Sequence, residues 1–194
     1  DDAYVQHFTD QIGGPSAVNI TYGGTVYTSF YIGSNGAITF NTGSTTFTTT
    51  LARFFGGFQT PPTTSVRPGV GILWTDLNPS GFSGSDNVTI VEDRVANTVQ
   101  VQYNNQEYWN SNLPAGSCSV TFGLLGAGSL YFDYTNMVGG DPTQDAGPII
   151  GMTDGTSALG TDRTSDLSVD IAGVYTGTSR ESIAEDFQGY LLGV

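Results

Sequence analysis

Carboxylates and side-chain amides carry most of the chemistry this sequence could do. The stretch "GILWTDLNPSGFSGSD" ends an aliphatic-aromatic run on Asp76 and follows it with Asn78, Pro79 and Asp86. Three readings of Asp76 stand side by side: a structural corner, a cation ligand and a catalytic acid. Asp and Asn side chains accept hydrogen bonds from backbone amides two residues on, and Pro fixes φ, so Asp76-Leu-Asn-Pro reads first as a turn; on that reading Asp76→Asn costs on the order of 1 kcal/mol. A hard cation such as Ca²⁺ takes several oxygen ligands, and Asp76, Asn78 and Asp86 would offer them from one loop. Asp154, Asp162 and Asp166 in "DGTSALGTDRTSD" form a second group of the same kind. Neither has the Asp-x-Asp-x-Asp-Gly spacing of a dedicated calcium loop.

An enzyme needs an acid, a base or a nucleophile in a recognisable setting. The chain has one histidine, His7, near its start, where a lone imidazole reads as an ordinary surface or packing residue. There is no lysine and no Gly-x-Ser-x-Gly elbow. A carboxylate pair on a sheet, as in acid hydrolases, could draw on Glu92, Glu107 or Asp133, but their spacing selects none of them. The expectation is a protein that is not an enzyme and has no catalytic residues.

Two Asn-x-Thr triplets, at Asn19 and Asn87, are candidate glycosylation sites in a secreted chain and equally ordinary Thr-rich sequence. Tyr108 and Trp109 are adjacent in "NNQEYWNSN", so on a strand they cannot both face inward. They are the candidate contact surface, for a sugar or a neighbouring subunit. Cys118, the single cysteine, sits in an alternating run and reads as a small buried strand residue.

The elements that must position these groups are strands. Over 194 residues only 12% are charged, against roughly 25% in ordinary soluble proteins, and 27 are glycine. The surface is therefore built from hydroxyls and amides. All basic residues are arginine, and the formal charge is −13, which argues against nucleic acid and anionic membrane as partners. No run approaches the roughly 18 apolar residues of a membrane-spanning helix, and the first residues lack the basic and apolar regions of a signal peptide, as expected of a mature or excised chain.

Residues 25–41 alternate with period two, Val26, Phe30 and Ile32 on one face, then turn through Gly33-Ser-Asn-Gly36 and resume at Ile38 and Phe40. A second hairpin places Val88, Ile90, Val99, Val101 and Tyr103 on one face about a turn at 93–97. A third runs Val120, Phe122, Leu124, then Gly126-Ala-Gly128, then Leu130, Phe132, Tyr134. "GILWTD" and "PIIGMTD" add buried strands; residues 41–50, 56–69 and 154–166 read as connections. Helical pattern is confined to a turn over Ser182–Phe187, with Ser182 as N-cap and Glu185 three residues on. About ten short antiparallel strands with polar loops make an all-β, single-domain antiparallel β-sandwich of jelly-roll or lectin-like type over 1–194, with a β-barrel as the alternative.

Four stretches in order, "FYIGSNGAITF", "FFGGFQTPP…GILWTDLNPS", "VEDRVANTVQVQYNNQEYW" with "VTFGLLGAGSLYFDY", and "PIIGMTDGTSALGTDRTSDLS", resemble a bacterial extracellular β-sandwich module similar to NIDO-type domains. The resemblance covers about residues 24–168. It implies a part of secreted or surface-displayed adhesive and matrix proteins, and carries over no catalytic residue. This chain has Thr75 where the first of two adjacent aspartates is usual, which weakens an ion-binding reading of that pair. The function expected is a non-enzymatic extracellular or cell-surface structural or adhesive module that self-associates, as the repeating subunit of a filament or matrix; the alternatives are a carbohydrate-binding, lectin-like domain and an acid hydrolase. No cofactor is expected beyond the Ca²⁺ reading, and no membrane insertion. Apolar residues near both ends (Tyr4, Val5, Phe8 and Ile12; Phe187, Tyr190, Leu191, Leu192 and Val194) are expected to pack on the domain's own sheet or on a neighbour.

Overall fold

The computed structural model describes residues 2–9, 18–59, 66–78, 87–110, 113–137, 148–155, 163–164 and 183–186. In chain order the elements are β1 (Tyr4–Phe8), β2 (Ile20–Tyr22), β3 (Thr25–Tyr27), β4 (Ser29–Gly33), β5 (Ala37–Thr39), α1 (Leu51–Phe55), β6 (Gly69–Trp74), β7 (Asn87–Asp93), β8 (Thr98–Glu107), β9 (Pro114–Phe122), β10 (Leu130–Met137), β11 (Ile149–Thr153), β12 (Arg163–Thr164) and β13 (Ile183–Asp186). They pair into a seven-stranded sheet of order β1-β4-β5-β6-β11-β13-β12, a four-stranded sheet of order β10-β9-β8-β7, and a separate β2-β3 ribbon. Neither large sheet closes on itself, so the architecture is the sandwich and not the barrel. All pairings are antiparallel except β12 with β13.

Alternation explains the layer between the sheets. In β8 every second residue is inward, and Val99, Val101 and Tyr103 are fully buried. Val120 and Phe122 of β9 join them against Phe30, Ile38, Val70 and Ile72 of the seven-stranded sheet. Phe132 and Tyr134, half-buried on β10, stack at 5.9 Å and close the layer over Ile150. The β2-β3 ribbon adds Ile20 and Tyr22. The Tyr22 hydroxyl donates to the Gly69 carbonyl at 2.6 Å and accepts from the Thr153 amide at 3.1 Å, and burial pushes its pKa above the usual tyrosine range.

The hairpin turns follow the local chemistry. Asp93 accepts from the amides of Val95 and Ala96 at 2.8 and 2.9 Å, and Asn97 takes φ +55. Gly36 has φ +75 and lies against the Leu73 carbonyl, so a Cβ there would be both strained and obstructed.

All six residues of β6 are buried, as are the three of β5 beside it. Two residues of β6, Ile72 and Leu73, oppose Ile150 alone, and this irregularity brings Trp74 to the side of Gly71. There Phe54 and Phe55 of α1 and Phe58 just beyond it lie over the sheet with Trp74 and Ile149. Phe54 and Phe58 lie 5.9 and 5.1 Å from the Trp74 ring. A Cβ on Gly71 would stand 2.8 Å from the Phe54 ring, so glycine is what lets the aromatic layer rest on bare backbone.

Four expectations need correction. Val26 is 59% exposed, because β3 pairs with β2 and not with β5; the chain changes sheet at Thr28, and Tyr27 becomes the residue that stacks on Phe40, at 4.4 Å. Leu124 is exposed, because β9 ends at Phe122 and Gly123 turns the chain at φ +84. Residues 183–186 form β13 on β11 instead of a helical turn; a single turn is marginal alone, whereas the β11 edge supplies a row of backbone partners. Finally, α1 was not foreseen, although Thr50 caps it by accepting from the Arg53 amide at 3.2 Å.

Candidate functional site

The Asp76 corner is the passage from the seven-stranded sheet to the end of β8. Beyond Trp74, the Thr75 amide donates to the Asn35 carbonyl at 3.2 Å and the Leu77 amide to Asn35 Oδ1 at 3.1 Å. Asn35 in turn donates to Asp2 Oδ1 at 2.9 Å. On the far side, the Asn78 amide donates to the Glu107 carbonyl and the Trp109 amide to the Asp76 carbonyl, at 2.9 and 3.0 Å. The brace of the corner is therefore Asn35, a residue 42 positions away, together with backbone on both sides. The Asp76 carboxylate accepts no hydrogen bond from another described residue. Burial, and then the nearby Asp2 charge, hold it above the usual carboxylate range.

Of the candidate cation ligands, Asp76 and Asn78 lie at this corner and Asp154 lies half-buried after β11. Asp86, Asp162 and Asp166 lie outside the described residues. Among the described residues no three His, Cys, Asp or Glu side chains are grouped for a metal.

The candidate acids are not brought together as a pair. Glu92 points from β7 into the sandwich; its Oε1 lies 2.6 Å from His7 Nε2, and its side chain is 5% exposed. His7 also packs on Phe30 at 5.1 Å, so the lone histidine ties edge strand β1 to edge strand β7 of the opposite sheet. Asp133 sits on β10, at the other edge of the four-stranded sheet, on its outer face. Thr135 donates to it from its amide and hydroxyl at 3.0 and 2.7 Å, which lowers its pKa. Glu107 is buried at the far end of β8.

Tyr108 and Trp109 divide as their adjacency requires. Tyr108 is 1% exposed and belongs to the core, whereas Trp109 is 41% exposed and alone remains a contact residue. Asn19 is exposed, its backbone joined to the Asn97 side chain, and Asn87 begins β7. Cys118 is buried against Tyr103, and burial pushes its thiol up to about 12, which leaves it inert at neutral pH.

The most organised polar surface was missed by reading only inward residues. On the outer face of the four-stranded sheet, register aligns Thr89, Gln102, Ser119 and Asp133 in one row across all four strands. Val91, Gln100, Thr121 and Tyr131 form the next row. Thr89 Oγ1 donates to Gln102 Oε1 at 3.0 Å, Gln102 Nε2 to Gln100 Oε1 at 2.7 Å, and Gln100 Nε2 to Ser119 Oγ at 3.3 Å. Asn104 Nδ2 extends the chain to Thr89 Oγ1 at 3.1 Å. The signal was present in the alternate positions of the same hairpins, which are almost all hydroxyls and amides.

Among the described residues no helix is long and apolar enough to cross a membrane. Residues 15–185 match the profile of the family described as NIDO related. No curated protein and no solved structure gives a match.

Proposed function

The chain belongs to the NIDO-related family, and from that premise we propose that it is a non-enzymatic, extracellular adhesive and structural module that associates with its own kind. The family supports the extracellular context. The observation that carries self-association is the four-stranded sheet: among the described residues, β7 and β10 each have a partner on one side only. β7 pairs with β8 over seven consecutive residues without a bulge, so its free side is a regular template for another strand. The two edges are different surfaces. A β7 edge of one copy against a β10 edge of the next is a head-to-tail contact, which does not close and builds a filament. The small share of charged residues, 12%, favours such a contact, because few ions are desolvated in it.

Of the two places expected for the N-terminal apolar residues, β1 takes the one on its own sheet. β1 lies antiparallel on β4 of its own chain, tied by His7 and Glu92. Among the described residues its other side, like those of β7 and β10, has no strand partner, and of these edges β7 offers the longest unbroken register. The C-terminal apolar residues 187–194 lie outside the described residues.

Light scattering over a concentration series, with negative-stain microscopy, tests the proposal. Wild type should show concentration-dependent growth into filaments, and Val91→Lys, which sets a charge on the half-exposed outer side of β7, should suppress it without loss of fold. A chain that stays monomeric at millimolar concentration sinks the filament reading. Glycan attachment at Asn19 is checked by the mass shift on enzymatic deglycosylation of protein from a glycosylating host.

A further inference from the structure

We propose that the outer face of the four-stranded sheet is a binding surface for a neutral polysaccharide. This deepens the adhesive reading by naming what the module adheres to, and it rests on that reading. The face is a lattice set by strand geometry: neighbouring rows on one strand are roughly 7 Å apart and neighbouring strands roughly 4.8 Å apart. Its central groups are the partly exposed Gln100, Gln102 and Thr89, fixed to one another and to the buried Ser119 by hydrogen bonds of 2.7 to 3.3 Å.

Those bonds leave capacity unused. A carboxamide has two N–H donors and two acceptor lone pairs, and the contacts above engage one donor and one acceptor of Gln102. A sugar hydroxyl donates and accepts from one oxygen, so it can meet both kinds of free valence side by side. Because the network holds the side chains, a ligand does not have to order them, which removes a large part of the entropic cost of binding a flexible polar surface. Tyr131, 49% exposed at the end of the Gln100 row and separated from Gln100 by Thr121, offers an aromatic ring on which the C–H face of a sugar can stack.

Charge selects the class of polysaccharide. The centre of the face carries no charged side chain; Asp133 lies at the β10 rim with Oδ1 engaged by Thr135. The chain has no lysine and a formal charge of −13, so uronic-acid or sulfated chains would be repelled. Protein partners bind best through a desolvated aromatic or aliphatic centre. This face has amides and hydroxyls at its centre and its apolar groups, Val91 and Tyr131, on the two outer strands. A second copy seated here would have to bury the polar network without that gain.

The test is affinity electrophoresis and pull-down of the full chain on neutral polysaccharides (a β-glucan, mannan, xyloglucan, cellulose and chitin), with alginate and heparin as anionic controls. Wild type should be retained by at least one neutral polymer and by neither anionic one. Tyr131→Ala, at an exposed ring, and Gln102→Glu, which sets a charge in the lattice, should each weaken retention by about tenfold or more, with the thermal midpoint checked for each variant. A third variant, Gln100→Ala, keeps the test sharp if Gln102→Glu unfolds. No retention on any neutral polymer, retention indifferent to Tyr131→Ala and Gln100→Ala, or stronger retention on alginate would overturn the proposal. Concentration-dependent association lost in the face variants, with no sugar binding, would assign the face to a second copy. Failure of the self-association reading is separate, because light scattering reads it without polysaccharide.

Discussion

The two sheets of the sandwich solve the same problem in opposite ways. The seven-stranded sheet is covered on both sides: its inner face meets the other sheet, and its outer face carries α1, with Phe54, Phe58 and Trp74 resting over Gly69 and Gly71. The four-stranded sheet carries on its outer face a hydrogen-bonded field of amides and hydroxyls, in which Thr89, Gln100 and Gln102 are partly exposed and Ser119 and Thr121 are buried. The difference is written in the pattern of each strand. β6 is continuously apolar or glycine and is buried throughout, while β8 alternates and is buried at every second residue. One sheet is scaffold, and the other presents a surface.

That comparison can be broken at its most buried point first. Trp74→Ala should cost about 3–5 kcal/mol in a urea titration, because it empties the aromatic layer beneath α1 and the rings around it cannot collapse. A cost below 1 kcal/mol would mean that the outer layer is not part of the core. Next, Thr50→Ala removes the N-cap of α1 and should cost about 1 kcal/mol by the same measurement.

The acidic limb sharpens the comparison through two carboxylates of opposite sign. The folded pKa of Asp76 is raised, chiefly by burial, so the folded state binds its proton more tightly than the unfolded chain does. Its contribution is most favourable at low pH and falls as pH rises through the range above 3.8. Asp76→Asn should therefore raise the thermal midpoint at pH 7 and leave it nearly unchanged at pH 3. This reverses the loss expected from the sequence, because among the described residues the carboxylate accepts no bond in the turn. Asp133, lowered by its Thr135 bonds, has the contrary linkage: its stabilisation is present above 3.8 and fades as pH falls below it. Asp133→Asn should lower the midpoint slightly at pH 7 and not at pH 2. Equal shifts of the same sign in both variants would refute the assignment.

The smallest effect is expected on the open face. Gln102→Ser should change stability by no more than about 0.5 kcal/mol, since a half-exposed amide trades its partners for water. A loss several times larger would show that the lattice holds the sheet together and is not there chiefly for a ligand.

How much of this was legible in the sequence depends on how far apart the partners lie. The hairpins were readable because period-two alternation and turn residues such as Asp93, Asn97 and Gly36 act within a few residues. The candidate surfaces were readable only in part: that Tyr108 and Trp109 divide between core and surface follows from their adjacency, whereas the lattice on the outer face was not readable. Gln100 and Ser119 meet only because β8 and β9 align in one register, with Gln102 opposite Ser119.

By itself the sequence determined the all-β class, the main hairpins, the apolar set that fills them and the hydroxyl-rich, weakly charged surface, since each follows from residue type and local spacing. Tertiary structure alone decided that residues 183–186 pair as a strand, that Asn35 braces the Asp76 corner, that His7 meets Glu92, and that among the described residues an aromatic layer lies on the outer face of one sheet and a polar network on that of the other. Those outcomes turn on backbone donors and acceptors finding partners dozens of residues away, and on which face the packing leaves open to water. Local propensity carries no information about either.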